Sequence, residues 1–98
     1  MANYRLTPDA AEQFIKILEY GIDQFGPKQA LKYQDELERS LQILADHPSL
    51  GRPATQVNKT LRRHEHGQYV ILYRFESADI LVLAIFHMAT NWQLPTTD

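Results

Sequence analysis

Gly67-Gln-Tyr-Val-Ile-Leu-Tyr-Arg-Phe-Glu-Ser-Ala-Asp-Ile-Leu-Val-Leu-Ala-Ile-Phe-His87 decides the fold. Two apolar runs, Tyr69 to Phe75 and Ile80 to Phe86, flank the polar break Glu76-Ser77-Ala78-Asp79. Both are rich in β-branched and aromatic residues, which suit a pleated, half-buried surface, so the stretch reads as a β-hairpin at the centre of an antiparallel sheet. Strict alternation puts Tyr69, Ile71, Tyr73 and Phe75 on one face and Val70, Leu72 and Arg74 on the other. On the second strand it sets Ile80, Val82, Ala84 and Phe86 against Leu81, Leu83, Ile85 and His87. Neither face is polar throughout. A sheet with one wet face alternates apolar and polar, so this one is expected to need cover on both sides. Helices supply one layer; the other is expected from the C-terminal tail, a second copy or another protein.

Upstream, Asn3-Tyr-Arg-Leu-Thr7 alternates like a short strand. Thr7 suits a helix N-cap and Pro8 the first helical position, with Asp9 and Glu12 near the positive helix end. Ala11, Phe14, Ile15, Leu18, Ile22 and Phe25 recur at three- and four-residue steps and predict one buried stripe, with Glu12, Lys16, Glu19 and Asp23 away from it. Gly26-Pro27 ends that helix and starts another, which runs to about Asp46 before His47-Pro48. Ala30, Tyr33, Leu37, Leu41 and Leu44 form its stripe, flanked by Leu31 and Ile43. So short a turn makes the two helices an antiparallel hairpin. Residues 48 to 59 read as a loop, and Thr60 to His66 as a charged edge strand. The expected architecture is α+β, two layers in the order β-α-α-β-β-β, with the helix hairpin on a small, mainly antiparallel sheet. Residues 1 to 98 are expected to form a single domain, with a tail from about 88 that is frayed or laid over an uncovered face.

Composition narrows the function classes. The 98 residues are 44% hydrophobic and 22% charged, average for a globular domain. No apolar run approaches the ~20 residues of a membrane-spanning helix and no leader precedes the first strand, so a cytoplasmic protein is expected. The absence of cysteine excludes disulfides, thiol catalysis and thiolate metal sites. The net charge of −2 conceals a basic stretch, Arg52, Lys59, Arg62, Arg63 and Arg74, with Glu65 the one acid among them. A patch of that size can touch phosphate or an acidic partner but falls short of a nucleic-acid binder, and it reads first as a solvated edge strand.

Motifs of catalysis are scarce. Glycines 21, 26, 51 and 67 stand singly, so no phosphate loop exists, and no serine sits in an elbow motif. His64 and His66 are two apart on a strand and share a face, yet lack a third ligand in register; no metal and no cofactor are expected. One catalytic class stays open: a metal-free ribonuclease, in which Arg62, Arg63 and Arg74 stabilise the phosphorane and His87 moves a proton. That reading requires a strand register bringing the four together.

The chain resembles the ParE branch of the RelE/ParE superfamily of bacterial type II toxins. The similarity lies in Tyr4-Arg-Leu-Thr-Pro8, Phe25-Gly-Pro-Lys-Gln-Ala30, Ala45-Asp-His-Pro-Ser-Leu-Gly-Arg-Pro53, Leu61-Arg-Arg63 and Gly67-Gln-Tyr-Val-Ile-Leu-Tyr-Arg74, and extends to about His87. The resemblance implies a toxin that inhibits DNA gyrase and is neutralised by a ParD-like antitoxin wrapped over its helices and sheet, a binding protein rather than an enzyme. The alternatives are a RelE-like ribosome-dependent mRNA endonuclease, or a non-toxic binding relative. Ribonuclease relatives use a C-terminal Arg or Tyr; here His87 is followed by Met-Ala-Thr-Asn-Trp, which has neither. The partner surface is expected to include Phe14, Leu18, Leu37, Leu41, Tyr73, Arg74, His87 and Trp92.

Overall fold

The computed structural model describes residues 2–54 and 60–90. Its elements are β1 (Tyr4–Leu6), α1 (Pro8–Phe25), α2 (Pro27–Asp46), a 3₁₀ turn (Pro48–Leu50), β2 (Arg52–Pro53), β3 (Arg62–His66), β4 (Tyr69–Glu76) and β5 (Asp79–His87). Among the described residues the strands form one sheet in the order β1-β5-β4-β3-β2. β1 runs parallel to β5 and every other pair is antiparallel. The α+β architecture therefore stands, with one addition. Two residues inside the stretch read as loop, Arg52 and Pro53, pair with Arg63 and Arg62; a two-residue strand is too short to show a period.

Local chemistry sets the helix ends. The Thr7 hydroxyl accepts from the Ala10 N–H at 3.1 Å and donates to the Leu83 carbonyl at 3.1 Å, capping α1 and tying it to β5. At Gly26 the backbone takes φ +88, open to glycine, and the chain re-enters a helix at Pro27. The α2 stripe is as expected: Ala30, Leu37, Leu41 and Leu44 are buried, joined by Ala45.

The α1 stripe is a correction. The core-facing residues are Ala10, Phe14 and Ile17, while Ile15, Ile22 and Phe25 are 55, 40 and 67% exposed. Two apolar stripes run side by side on this helix, and periodicity alone merged them. Gly21 marks the inner one, since a β-carbon there would stand 3.2 Å from that of Ala30. The helices cross closely at this point.

A second correction concerns the faces of the hairpin. Leu72 pairs with Ala84 but Tyr73 with Val82, so Leu83 is an extra residue with no partner. This β-bulge reverses the parity of β5 along its length. Ile80 and Val82 face the helices with Ile71 and Tyr73, and so does Ile85; Ala84 and Phe86 turn to the opposite side with Leu72. Strict alternation had assigned Ala84, Ile85, Phe86 and His87 to the wrong faces.

The opposite face is not left open either. Val70, Leu72 and Ala84 are at most 2% exposed, and Ala54 and Leu61, from either end of the β2–β3 connection, cluster with Leu72 and Ala84. Cover expected from the C-terminal tail, a second copy or another protein comes at least in part from Ala54 and Leu61 at the ends of the chain's own connector.

Candidate functional site

The open apolar surface lies where α1 ends and α2 begins. There a groove of about 710 Å³ separates the helix hairpin from the β3–β4 turn. Ile17, Tyr20, Gly21 and Phe25 of α1, Gln29, Ala30 and Tyr33 of α2, and Gly67, Gln68, Tyr69 and His87 of the sheet line it. The close helix crossing at Gly21 and Ala30 sets its position between the helices. Gly67 takes φ +59 at the first place of the two-residue turn, where glycine is favoured, which brings the turn under Tyr33.

Aromatic rings run through the site. The Tyr33 ring lies 5.5 Å from His66 and 6.1 Å from Tyr69, and Tyr69 meets His87 edge-on at 5.5 Å. His66 Nδ1 is 2.8 Å from the Ser40 hydroxyl. The Ala89 N–H donates to His87 Nδ1 at 3.0 Å, which leaves the proton on Nε2 to be donated to Gln68 Oε1 at 3.0 Å. Both ring nitrogens of His87 are thereby engaged. Tyr20 and Phe25, 57 and 67% exposed, form the outer lip.

Among the described residues no lining side chain is Asp, Glu, Lys or Arg. Burial, then the neighbouring Tyr69 and Glu36, pushes the Tyr33 phenol up to about 12, and burial followed by Tyr20 raises Tyr69 as well. Both phenols stay protonated near neutral pH and offer hydrogen-bond donors rather than a base. The groove is built to hold apolar and aromatic groups, with a few hydrogen-bonding groups to orient them.

The ribonuclease constellation does not assemble. Arg62 faces the helices, donates from Nε to the Gly51 carbonyl at 2.8 Å and from a terminal nitrogen to Ser49 at 3.2 Å, and lies 5.9 Å over the Phe75 ring. Arg63 and Arg74 lie on the opposite face, in register with Leu72 and Leu81. His87 pairs with Tyr69, five residues along β4 from Arg74, or about 17 Å at ~3.4 Å per residue. His64 and His66 share the helix-side face, and no group of three metal-ligating side chains forms among the described residues.

The expected partner residues divide. Leu37, Leu41 and Tyr73 are 1, 0 and 0% exposed, so the stripe assigned to a partner is the stripe that packs on the sheet. Phe14 and Leu18 are half-buried. Arg74 sits on the far face, His87 lines the groove, and Trp92 lies outside the described residues. Tyr20, Phe25, Tyr33 and Tyr69 line the groove and were not among the expected partner residues. Their sequence signal is an aromatic at each end of the Gly26-Pro27 corner and beside Gly67, visible only once these turns are known to meet.

His64 gives the domain a pH response. Burial, then the adjacent His66, lowers its pKa from the ordinary 6.5, with Glu65 pulling the other way. The unfolded chain binds that proton more readily, so this contribution is complete above 6.5 and is lost as pH falls through the folded value. Urea midpoints measured from pH 8 to 5 are expected to fall below about pH 6.5, with a shallower fall in His64→Gln. An unchanged slope in the variant would exclude this group as its source.

Residues 4–92 match the family model described as ParE toxin of type II toxin-antitoxin system, parDE. Toxin ParE1 of Caulobacter vibrioides is 29% identical over 91 residues, covering 93% of this chain and 94% of that one. Toxin ParE1 of Mycobacterium tuberculosis is 27% identical over 73 residues, 74% of each chain. Among solved structures, a chain of the chromosomal ParDE TA system from P. aeruginosa superposes with a TM-score of 0.74, covering 89% of this chain and 96% of that one at 23% identity. The superposition shows a shared fold.

Proposed function

This chain belongs to the ParE toxin family of type II toxin-antitoxin systems, and from that premise we propose that it acts in the cytoplasm by binding and inhibiting DNA gyrase, without chemistry of its own. A ParD-like antitoxin neutralises it by seating an amphipathic segment in the groove between the helix hairpin and the β3–β4 turn. The observation that carries this reading is the groove itself: an apolar, aromatic cleft with no charged side chain among its described lining residues, which suits the helix-in-groove mode of peptide capture. Membership of a family whose solved neighbour is a ParDE system supports an antitoxin as the occupant. The dispersal of Arg62, Arg63, Arg74 and His87 over two faces weighs against the endonuclease alternative.

A gyrase supercoiling assay tests the target. Purified chain in molar excess is expected to block supercoiling, and pre-mixing with the antitoxin is expected to restore it. Unimpaired gyrase at saturating chain defeats the gyrase reading. Transcript-end mapping after induction separates the ribonuclease, which leaves new cleavage sites. A non-toxic binding relative leaves growth unaffected at any expression level.

A further inference from the structure

The aromatic groove contains a side-chain amide whose orientation is fixed. The Ala89 N–H donates to His87 Nδ1 at 3.0 Å, so the neutral ring carries its proton on Nε2 and donates it to Gln68 Oε1 at 3.0 Å. That bond settles which end of the amide is oxygen: Oε1 keeps a second lone pair, and the Nε2 end brings two N–H donors. The backbone is pinned as well, since Gly67 takes φ +59 in the turn and the Met88 N–H donates to the Gln68 carbonyl at 2.7 Å. A carboxamide held in this way offers an acceptor beside a donor in one plane. Its complement is a flat edge with a donor beside an acceptor, the pattern of adenine N6 and N7, with which Gln pairs in bidentate fashion. The rest of the cleft suits the faces of such a ring. Tyr33 and Tyr69 lie 6.1 Å apart, Tyr69 meets His87 edge-on, and Tyr20 and Phe25 stand at the lip, 57 and 67% exposed. Aromatic side chains of this kind stack readily on a base, because every base has a π-face. A cleft of about 710 Å³ falls in the range of small-molecule sites, ~300–1,000 Å³.

We propose that the groove is a binding site for the adenine base of a free nucleoside or mononucleotide, stacked on the aromatic rings with its N6–H and N7 edge paired to the Gln68 amide. Sugar and any phosphate stay outside the lip. A free nucleoside is favoured over a nucleic-acid strand on two grounds. Among the described lining residues no guanidinium or ammonium group answers a phosphate, and a chain of net charge −2 lacks the basic field that draws a polyanion. Adenine is favoured over a hydrocarbon ring because the latter would strand the amide it screens from water. The site occupies the cleft proposed for the antitoxin segment but does not rest on that reading.

Equilibrium dialysis of the full chain against labelled adenosine tests it. The native chain is expected to retain adenosine with a Kd of ~0.1 mM, ordinary for a neutral ligand of this size. Purine riboside, the same nucleoside without the exocyclic amine, is expected to bind about 5-fold more weakly. Gln68→Leu is expected to hold the two nucleosides alike, at the weaker level. Tyr20→Ala/Phe25→Ala is expected to lose at least ~10-fold for adenosine, as fits the removal of stacking surface, and Ile43→Ala, off the groove, to bind as the native chain does. AMP is expected to match adenosine. Gln68, Tyr20 and Phe25 are exposed, so these variants are expected to keep the native melting curve, which circular dichroism checks. No retention of adenosine by ~1 mM native chain, equal retention of adenosine and purine riboside, a preference that survives in Gln68→Leu, or much tighter binding of AMP or of a single-stranded adenine oligonucleotide would overturn the assignment. The dialysis needs neither antitoxin nor gyrase, so its failure and that of the proposed function are read separately.

Discussion

Gly51→Ala is expected to destabilise the domain by about 2–6 kcal/mol, although it adds only one methyl group. A β-carbon at position 51 would stand 2.2 Å from the Tyr73 hydroxyl oxygen and 2.7 and 2.8 Å from two ring carbons. Tyr73 cannot give way: it is 0% exposed, and its ring packs in the cluster that holds Leu37, Leu41, Leu44 and Ile71. Its hydroxyl donates to the Pro48 carbonyl at 2.6 Å and accepts from the Gly51 N–H at 2.9 Å. Overpacking a tight site costs about 1–3 kcal/mol, and stranding buried hydrogen-bonding groups costs about 1–3 kcal/mol more. Against a total stability of about 5–15 kcal/mol, such a loss leaves much of the chain unfolded on mild heating. Urea unfolding measures it. Tyr73→Phe, which removes the hydroxyl alone, is expected to cost about 1–3 kcal/mol, and the double variant less than the sum, because the hydroxyl and the methyl compete for one space. Strict additivity would show that the two groups do not meet.

The second large effect falls on binding and leaves stability alone. Tyr20→Ala/Phe25→Ala is expected to weaken antitoxin capture by roughly a thousandfold, taking about 2 kcal/mol for each aromatic anchor. Both side chains are more than half exposed, so the free domain is expected to change by less than about 0.5 kcal/mol. Calorimetric titration against the antitoxin gives the number, and failure of co-expressed antitoxin to rescue growth gives the phenotype. Ile43→Ala serves as the control, an apolar residue 50% exposed that does not line the groove. Undiminished affinity in the double variant would move the antitoxin to another surface.

The elements were legible in the sequence because each carries its own local signal. Thr7-Pro8 starts one helix, Gly26-Pro27 divides two, and the polar tetrad Glu76 to Asp79 folds the hairpin. Less legible was anything that depends on register. Leu83 looks like one more apolar residue in a run, yet as a bulge it reassigns Ile85 and Phe86 to opposite sides of the sheet. Arg62 and Arg63 read as one basic pair, but neighbours on a strand diverge: the first braces the turn at Ser49 and Gly51, the second turns to the far face. The groove was invisible for a related reason. Phe25, Tyr33 and Gly67 are brought together by the crossing of two helices over a turn some forty residues away, and Phe25 had been counted into the buried stripe by its spacing.

The pairing of β1 bears on when the domain is completed during synthesis. Residues 4 to 6 hydrogen-bond along residues 80 to 82, and the α1 cap is tied to Leu83. A nascent chain still short of β5 therefore has a loose N-terminus and a helix hairpin that lacks Ile80, Val82 and Ile85 beneath it, since loop closure over so many residues must await that strand. The finished surface thus waits on the strand that pairs with β1, and a partner present at that moment meets the domain as it first takes shape.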